Sequence, residues 1–337
     1  METKLAFTST LGVQRRRRAL ATTLAAAALA CWPALAAAQN NAAPARLLVG
    51  FPAGGSFDAI ARLLADKLKD EMRRPVMVDN RPGAGGRLAV EVLKAAPRDG
   101  NTLMLGPDAL VALYPFTYAK LSYDPAKDLV PVGTVSEFPF GLAAGTQPPA
   151  QQLSDYVSWA RQNPTKANFG VPALGAPHHF FGLVLGKAIG VPMQEIAFQG
   201  SAPSMVALMG GQISASIDVL PSMTEQHKAG KIRLLAVSSA QRVPQVPDVP
   251  TFAEAGYPAI TGMGFNGLYV AGGTPAEAVN RWNEALNKVL AQPEVKAKLE
   301  GWGFLAAPGA PEALAERNRT SAERWGPIIK ASGFKAD

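Results

Sequence analysis

Three short apolar runs, Leu47-Leu48-Val49, Val76-Met77-Val78 and Leu103-Met104-Leu105, are spaced to leave room for a helix between each pair, and this alternation constrains the fold most. Runs that are apolar at every position suit strands covered on both faces. Between the first two, Phe57, Ile60, Ala61, Leu64 and Leu68 recur at helical spacing, with Asp66, Lys67, Lys69 and Asp70 on the other face. A shorter helix over 87–95 ends at Ala96-Pro97, and Asp99-Gly100 turns the chain into the third run. The order β-α-β-α-β predicts a parallel sheet with right-handed crossovers.

The pattern then breaks and resumes. A loop-rich stretch is expected to about Pro131, followed by extended chain over 132–144. Helical spacing returns over 154–162, from His178, and again with Pro203 in a first turn, with strands near Phe169 and Ile196 between. Ile213, Ala215, Ile217 and Val219 alternate with Ser214, Ser216 and Asp218, the period of a strand. A strand over 232–237, a proline-rich surface connection over 243–250, a strand over 268–270 and two terminal helices complete the chain. The expected fold is α/β with two α/β domains, 45–142 plus 238–337 and 143–237, joined by two crossings with a small-molecule cleft between them.

The first 38 residues read as a cleavable secretory signal: Arg15 to Arg18, an apolar run over 19–35, and Ala36-Ala37-Ala38 at the cleavage site. Its loss changes the charge argument. The whole chain carries +7, but the leader takes away five basic residues and Glu2, leaving 28 basic against 25 acidic residues, or +3. With no dense basic block, a nucleic-acid partner is not expected. Cys31, the single cysteine, lies inside the leader, so the exported chain has no thiol for a disulfide, a metal or nucleophilic catalysis; its alternative role is as a lipid-attachment cysteine, although Ala28-Leu29-Ala30 before it sets the leucine one place from where lipoprotein signals carry it.

Two glycine-bearing turns stand where a strand hands over to a helix, Phe51-Pro52-Ala53-Gly54-Gly55-Ser56-Phe57-Asp58 and Asn80-Arg81-Pro82-Gly83-Ala84-Gly85-Gly86. A third, Ala173-Leu174-Gly175-Ala176-Pro177-His178-His179, opens a helix in the second domain. The helix start after each offers free amide N–H groups and partial positive charge, which suits an anion. Neither nucleotide motif fits, because Gly54-Gly55-Ser56 lacks the lysine of a phosphate loop and Leu88 stands at the third dinucleotide glycine position.

FPAGGSFDAIARLLADKL, PVMVDNRPGAGG and APRDGNTLMLG resemble the start of the Bug family of periplasmic solute-binding proteins, the receptors of tripartite tricarboxylate transporters. The resemblance continues through FQGSAPSMVALMGGQISASIDVLPS and KAGKIRLLAVSSAQRVPQVPDVPTFAEAGYP to FNGLYVAGGTP, and so covers essentially all of the chain after the leader. It implies a two-lobed, type II-like periplasmic binding fold that grips a ligand carboxylate between lobes, in the periplasm, without cofactor. The implied partners are a small carboxylate ligand and a membrane permease, with the receptor itself a monomer. Carried over position by position, it nominates Phe51, Ala53, Gly54, Gly55, Ser56 and Asp58 from one lobe and Gly175, Ala176 and His179 from the other, with Phe198, Gln199, Gly200 and Asp218 in support. The sequence departs from the family where relatives carry hydroxyls or Tyr-Lys-Gly: here stand Ala173-Leu174-Gly175-Ala176 and Phe198-Gln199-Gly200. That favours a monocarboxylate, aromatic or otherwise apolar, over a dicarboxylate.

Several residues suit two roles. Ser56 fits both a carboxylate donor and a helix N-cap; Asp58 fits both a dipole partner and a loop anchor. Arg81 fits a local ion pair better than a ligand clamp. His178 and His179 are adjacent and no further ligand set accompanies them, so no metal is expected. Trp159, Trp282, Trp302 and Trp325 read as packing residues. A serine hydrolase lacks its G-x-S-x-G elbow, so no enzymatic activity is expected; a ligand sensor uncoupled from uptake shares every binding feature.

Overall fold

The computed structural model describes residues 43–336; the expected leader and Cys31 lie outside them. Strands β1 (Ala45–Val49), β2 (Val76–Asn80) and β3 (Thr102–Pro107) pair in parallel, with Leu47 level with Val78 on one side and Leu103 on the other. Helix α1 (Ser56–Met72) links the first two, and α2 (Arg87–Lys94) the second and third. Ile60, Ala61, Leu64 and Leu68 of α1 are buried, as their spacing requires. Arg73 closes α1 in the left-handed conformation, at φ 51°. Arg74 is thereby turned under Trp282.

Strand β4 (Leu129–Ala144) is one continuous 16-residue element. Its first part pairs antiparallel with β9 (Met263–Ala271) and with the two-residue β10 (Leu305–Ala306); β9 in turn borders β3. From Phe140 onward it is flanked by β7 (Ala215–Val219) and β8 (Arg233–Val237). Beyond β7 lie β5 (Asn168–Val171) and β6 (Gln194–Ala197), parallel to each other. Helices α3 (Leu153–Gln162), α4 (Pro177–Ile189) and α5 (Ser201–Met209) belong to this second set of strands. The order β2-β1-β3-β9-β4-β7-β5-β6 thus forms one sheet in which β4 serves both sets, within the unit Ala45–Asp337.

The chain ends in α6 (Ala276–Ala291), α7 (Pro293–Gly301) and α8 (Pro311–Ser332), three helices where the spacing predicts two. Pro293 explains the extra break, because a residue before proline is pushed out of the helical region, and Gln292 has ψ 127°. The stretch expected as loop after β3 is also helical: a wide turn over Ala109–Leu113 runs into Tyr114–Thr117. Its residues Ala109 to Tyr114 are all buried, so packing sets a conformation that local sequence does not announce. Trp302 is a further correction, being 38% exposed and therefore no packing residue. Among the described residues, no helix is long and apolar enough to cross a membrane.

Candidate functional site

The C-terminal ends of β1, β3, β5, β6 and β7 open into one cavity of about 280 Å³, which the glycine turn after β2 does not line. Such ends are where open α/β sheets collect ligands, because the loops there are free of the next ladder. After β1 come Phe51 to Phe57; at the end of β3, Pro107 to Ala109; after β5, Pro172, Ala173 and the start of α4; after β6, Gln199 to Pro203; and at the end of β7 itself, Asp218 and Val219. Phe138 and Phe140 on β4 form part of the wall. They stand two residues apart, so they share one face of the strand.

The first loop is held by close backbone contact. A Cβ on Gly50 would lie 2.5 Å from the Gly86 Cα, so the chain after β1 touches the glycine turn after β2 with nothing between. Gly54 adopts φ 84°, and its N–H donates to Asp58 Oδ2 at 2.9 Å. Arg62 Nε donates to the same oxygen at 2.9 Å, and Asn80 Nδ2 to Oδ1 at 3.1 Å. Burial pushes the Asp58 carboxyl up, but the bonds from Arg62, Gly54 and Asn80 outweigh it and hold it below the usual range. Asp58 anchors the loop from behind and does not line the cavity. Asp58→Ala removes the acceptor of three hydrogen bonds; Asn80 Nδ2 keeps the Phe51 carbonyl at 3.2 Å and Arg62 turns to solvent, but the Gly54 N–H loses its partner. We expect a loss of roughly 1–3 kcal/mol in urea unfolding together with weaker ligand binding; unchanged values on both would show that the loop holds itself.

Three helix starts meet at this cavity, and each is N-capped by a residue with no side-chain acceptor: Gly55 for α1, Ala176 for α4 and Gly200 for α5. In α1 the helical ladder opens with Ala59 N–H donating to Gly55 O at 3.0 Å, which leaves the amides of Ser56, Phe57 and Asp58 ahead of it. Ser56 is the first helical residue, not the cap. The other two starts are poorer in amides, because Pro177 of α4 and Pro203 of α5 carry no N–H and His179 N–H already donates to Ala176 O at 3.0 Å. Uncapped N–H groups with partial positive charge are the arrangement that receives an anion, and α1 offers the fullest set of them.

The remaining lining is apolar and aromatic. Phe51 stacks on Phe57 at 4.5 Å between centroids, and Phe138 meets Phe140 edge-on at 5.5 Å. A Cβ on Gly264, across β9, would come within 2.5 Å of the Phe138 ring, so glycine there makes room for the aromatic pair. Among the described residues, no lysine or arginine lines the cavity. Its ionisable members are Asp108, Tyr114, His178 and Asp218. Burial pushes the His178 ring down to about 3, so it is neutral at physiological pH, with Nε2 2.9 Å from Ala173 O. Burial pushes Asp108 and Asp218 up to about 7.

Of the residues nominated from sequence, Phe51, Ala53, Gly54, Gly55, Ser56, Ala176, Gln199, Gly200 and Asp218 line this one cavity. Gly175, His179 and Phe198, like Asp58, do not. Gly175, at φ 75°, packs against Thr117, and its N–H donates to His179 Nδ1 at 3.3 Å. The His179 ring lies edge-on to Phe334 at 4.4 Å, and burial pushes it down to about 4. Phe198 packs beneath Gly170. Arg81 pairs with Asp79, Nε to Oδ1 at 2.9 Å. Sequence reasoning missed Asp108, Tyr114, Phe138, Phe140 and Ser201. A polar residue just past the third parallel strand was a usable signal for Asp108; the phenylalanines become legible only when β4 is known to cross between strand sets.

A family model described as the tripartite tricarboxylate transporter family receptor matches residues 60–334. BugT of Bordetella pertussis is 31% identical over 301 residues, covering 87% of this chain and 90% of that protein. Among solved structures, Rhodopseudomonas palustris Rpa4515 with adipate superposes with a TM-score of 0.83 at 31% identity, covering 87% of this chain and 98% of that one. MatC of the same organism, with bound malate, gives 0.78 at 31% identity, covering 85% and 98%. The α/β fold is therefore that of the periplasmic binding proteins. The chain belongs to the Bug family of solute-binding proteins, the receptors of tripartite tricarboxylate transporters.

Proposed function

We propose that the protein is a periplasmic receptor that captures a small carboxylate between residues 45–142 plus 238–337 on one side and 143–237 on the other, and delivers it to a tripartite tricarboxylate-type permease. The observation that carries this reading is the meeting of three uncapped helix starts at one largely apolar cavity. The adipate and malate found in two structural relatives support a carboxylate as the ligand class. Export through the leader over 1–38, a monomeric receptor and the absence of chemistry on the ligand complete the reading.

Physically, the carboxylate takes amide donors from the loop after β1 and from the helix starts after β5 and β6, while the aromatic walls hold the ligand's apolar body. The paucity of polar donors opposite the first loop favours one carboxylate over two. Contacts made from both sides exist only when the sides are together, so the ligand stabilises that state by its differential affinity. In a thermal-shift screen of mono-, di- and tricarboxylates at 100 times Kd, the cognate acid adds about 2.7 kcal/mol. That corresponds to a rise on the order of 5 °C. If no acid shifts the transition of protein refolded free of carried ligand, the reading is wrong. Loss of uptake of that acid on deletion of the gene tests the coupling to a permease.

A further inference from the structure

Two buried carboxylates border the cavity, and each keeps an oxygen without a partner among the described residues. Asp218, at the end of β7, is fully buried; its Oδ1 accepts from Ser201 Oγ at 3.0 Å and from the Val219 N–H at 2.6 Å, while Oδ2 meets no donor. Asp108, at the end of β3, is 2% exposed, and its Oδ2 likewise meets no donor. One comes from each set of strands. A buried acceptor left unsatisfied costs about 1–3 kcal/mol, and more when charged. Among the described residues, no lysine or arginine stands along the wall to offset two of them.

A ligand that is only an acid leaves both oxygens orphaned. A second carboxylate makes matters worse, since like charges in a site of low polarity repel strongly. A protonated amine does the opposite: it brings three N–H donors and a positive charge to groups that lack both. Resting on the carboxylate reading above, we propose that the ligand is an amino-carboxylate, its acid group on the helix starts and its ammonium group against Asp218 and Asp108. Burial already raises both carboxyls to about 7, so a neighbouring cation is what keeps them ionised at neutral pH.

The test is calorimetry on the refolded, ligand-free protein with two matched sets of probes. One set is pentanoate, 5-aminopentanoate and glutarate; the other is 3-ethylbenzoate, 3-(aminomethyl)benzoate and isophthalate. In at least one set the amino member should bind tenfold or more tightly than both of its partners. Asp218→Asn and Asp108→Asn should each remove most of that preference, read as the ratio of the amino member's affinity to that of its plain acid in the same variant. Two variants at separate places in the fold keep the test alive should one fail to fold. A plain acid or diacid that binds as tightly as its amino counterpart in both sets overturns the proposal and leaves the carboxylate reading standing. So does an amine preference that survives both variants. Methyl esters that bind as well as the free acids overturn the carboxylate reading itself, and this proposal with it.

Discussion

Gly55→Val should cost at least about 100-fold in affinity for any acid that the native protein binds, or roughly 2.7 kcal/mol, with a far-UV circular dichroism spectrum indistinguishable from that of the native chain. The backbone at Gly55 is ordinary extended chain, at φ −82° and ψ 173°, which valine adopts freely. A Cβ built there meets only the Pro52 carbonyl oxygen, at 3.6 Å, an unremarkable contact. The fold thus has no reason to resist the change. The site does, because Gly55 lines the cavity at the cap of α1, and a branched side chain there stands over the amides of Ser56 and Phe57. A valine variant that binds its ligand as before would move the site away from this loop.

Trp282→Ala should have the reverse profile, a large loss of stability with no direct effect on the cavity. Trp282 is fully buried in α6, donates from Nε1 to the Gly100 carbonyl at 2.7 Å, and carries the Arg74 guanidinium 5.0 Å above its ring. Arg74 is itself 6% exposed; its Nη1 donates to Asn101 Oδ1, while Nε and Nη2 find no hydrogen-bond partner among the described residues, so the ring face is the second support of its charge. Truncating a buried tryptophan costs about 3–5 kcal/mol in lost burial and cavity formation. Here the orphaned Gly100 carbonyl and the stranded cation add to that. The urea midpoint should fall accordingly, and the melting temperature by on the order of 10 °C, whereas Trp302→Ala, at an exposed site, should stay within about 0.5 kcal/mol of the native protein. A fall of less than about 1 kcal/mol in the Trp282 variant would mean that α1 and α6 hold without this pair.

The strand-helix alternation over 45–107 was readable because periodicity is local: the apolar runs make strands, and Ile60, Ala61, Leu64 and Leu68 can share a face only on a helix. Cover on both faces holds for β1 and β3 but not for β2, which lies at the sheet edge and leaves Met77 58% exposed. The glycine turns were readable for a similar reason, since Gly54 and Gly86 need positive φ whatever surrounds them. What escaped depends on distance along the chain. Asp108 and Asp218 are 110 positions apart in sequence and become neighbours of one cavity only through the order β3-β9-β4-β7. Asp58 was nominated by the family resemblance, and its place in the first turn suits a dipole partner or a loop anchor alike; only the positions of Arg62 and Asn80 show which partners it takes. Ser56 and Gly55 differ by one residue in the capping assignment, and that step changes which amides are free.

The undivided length of β4 sets how such a receptor can move. Its partners change from β9 to β7 and β8 around Pro139 and Phe140, and proline has no N–H to contribute at the changeover. Swinging one set of strands against the other cannot be a free swivel on a slack tether; the ladder itself must flex, like a leaf spring clamped at both ends. Phe138 and Phe140 straddle that flexing point, so the segment that would bend also carries the aromatic wall of the cavity.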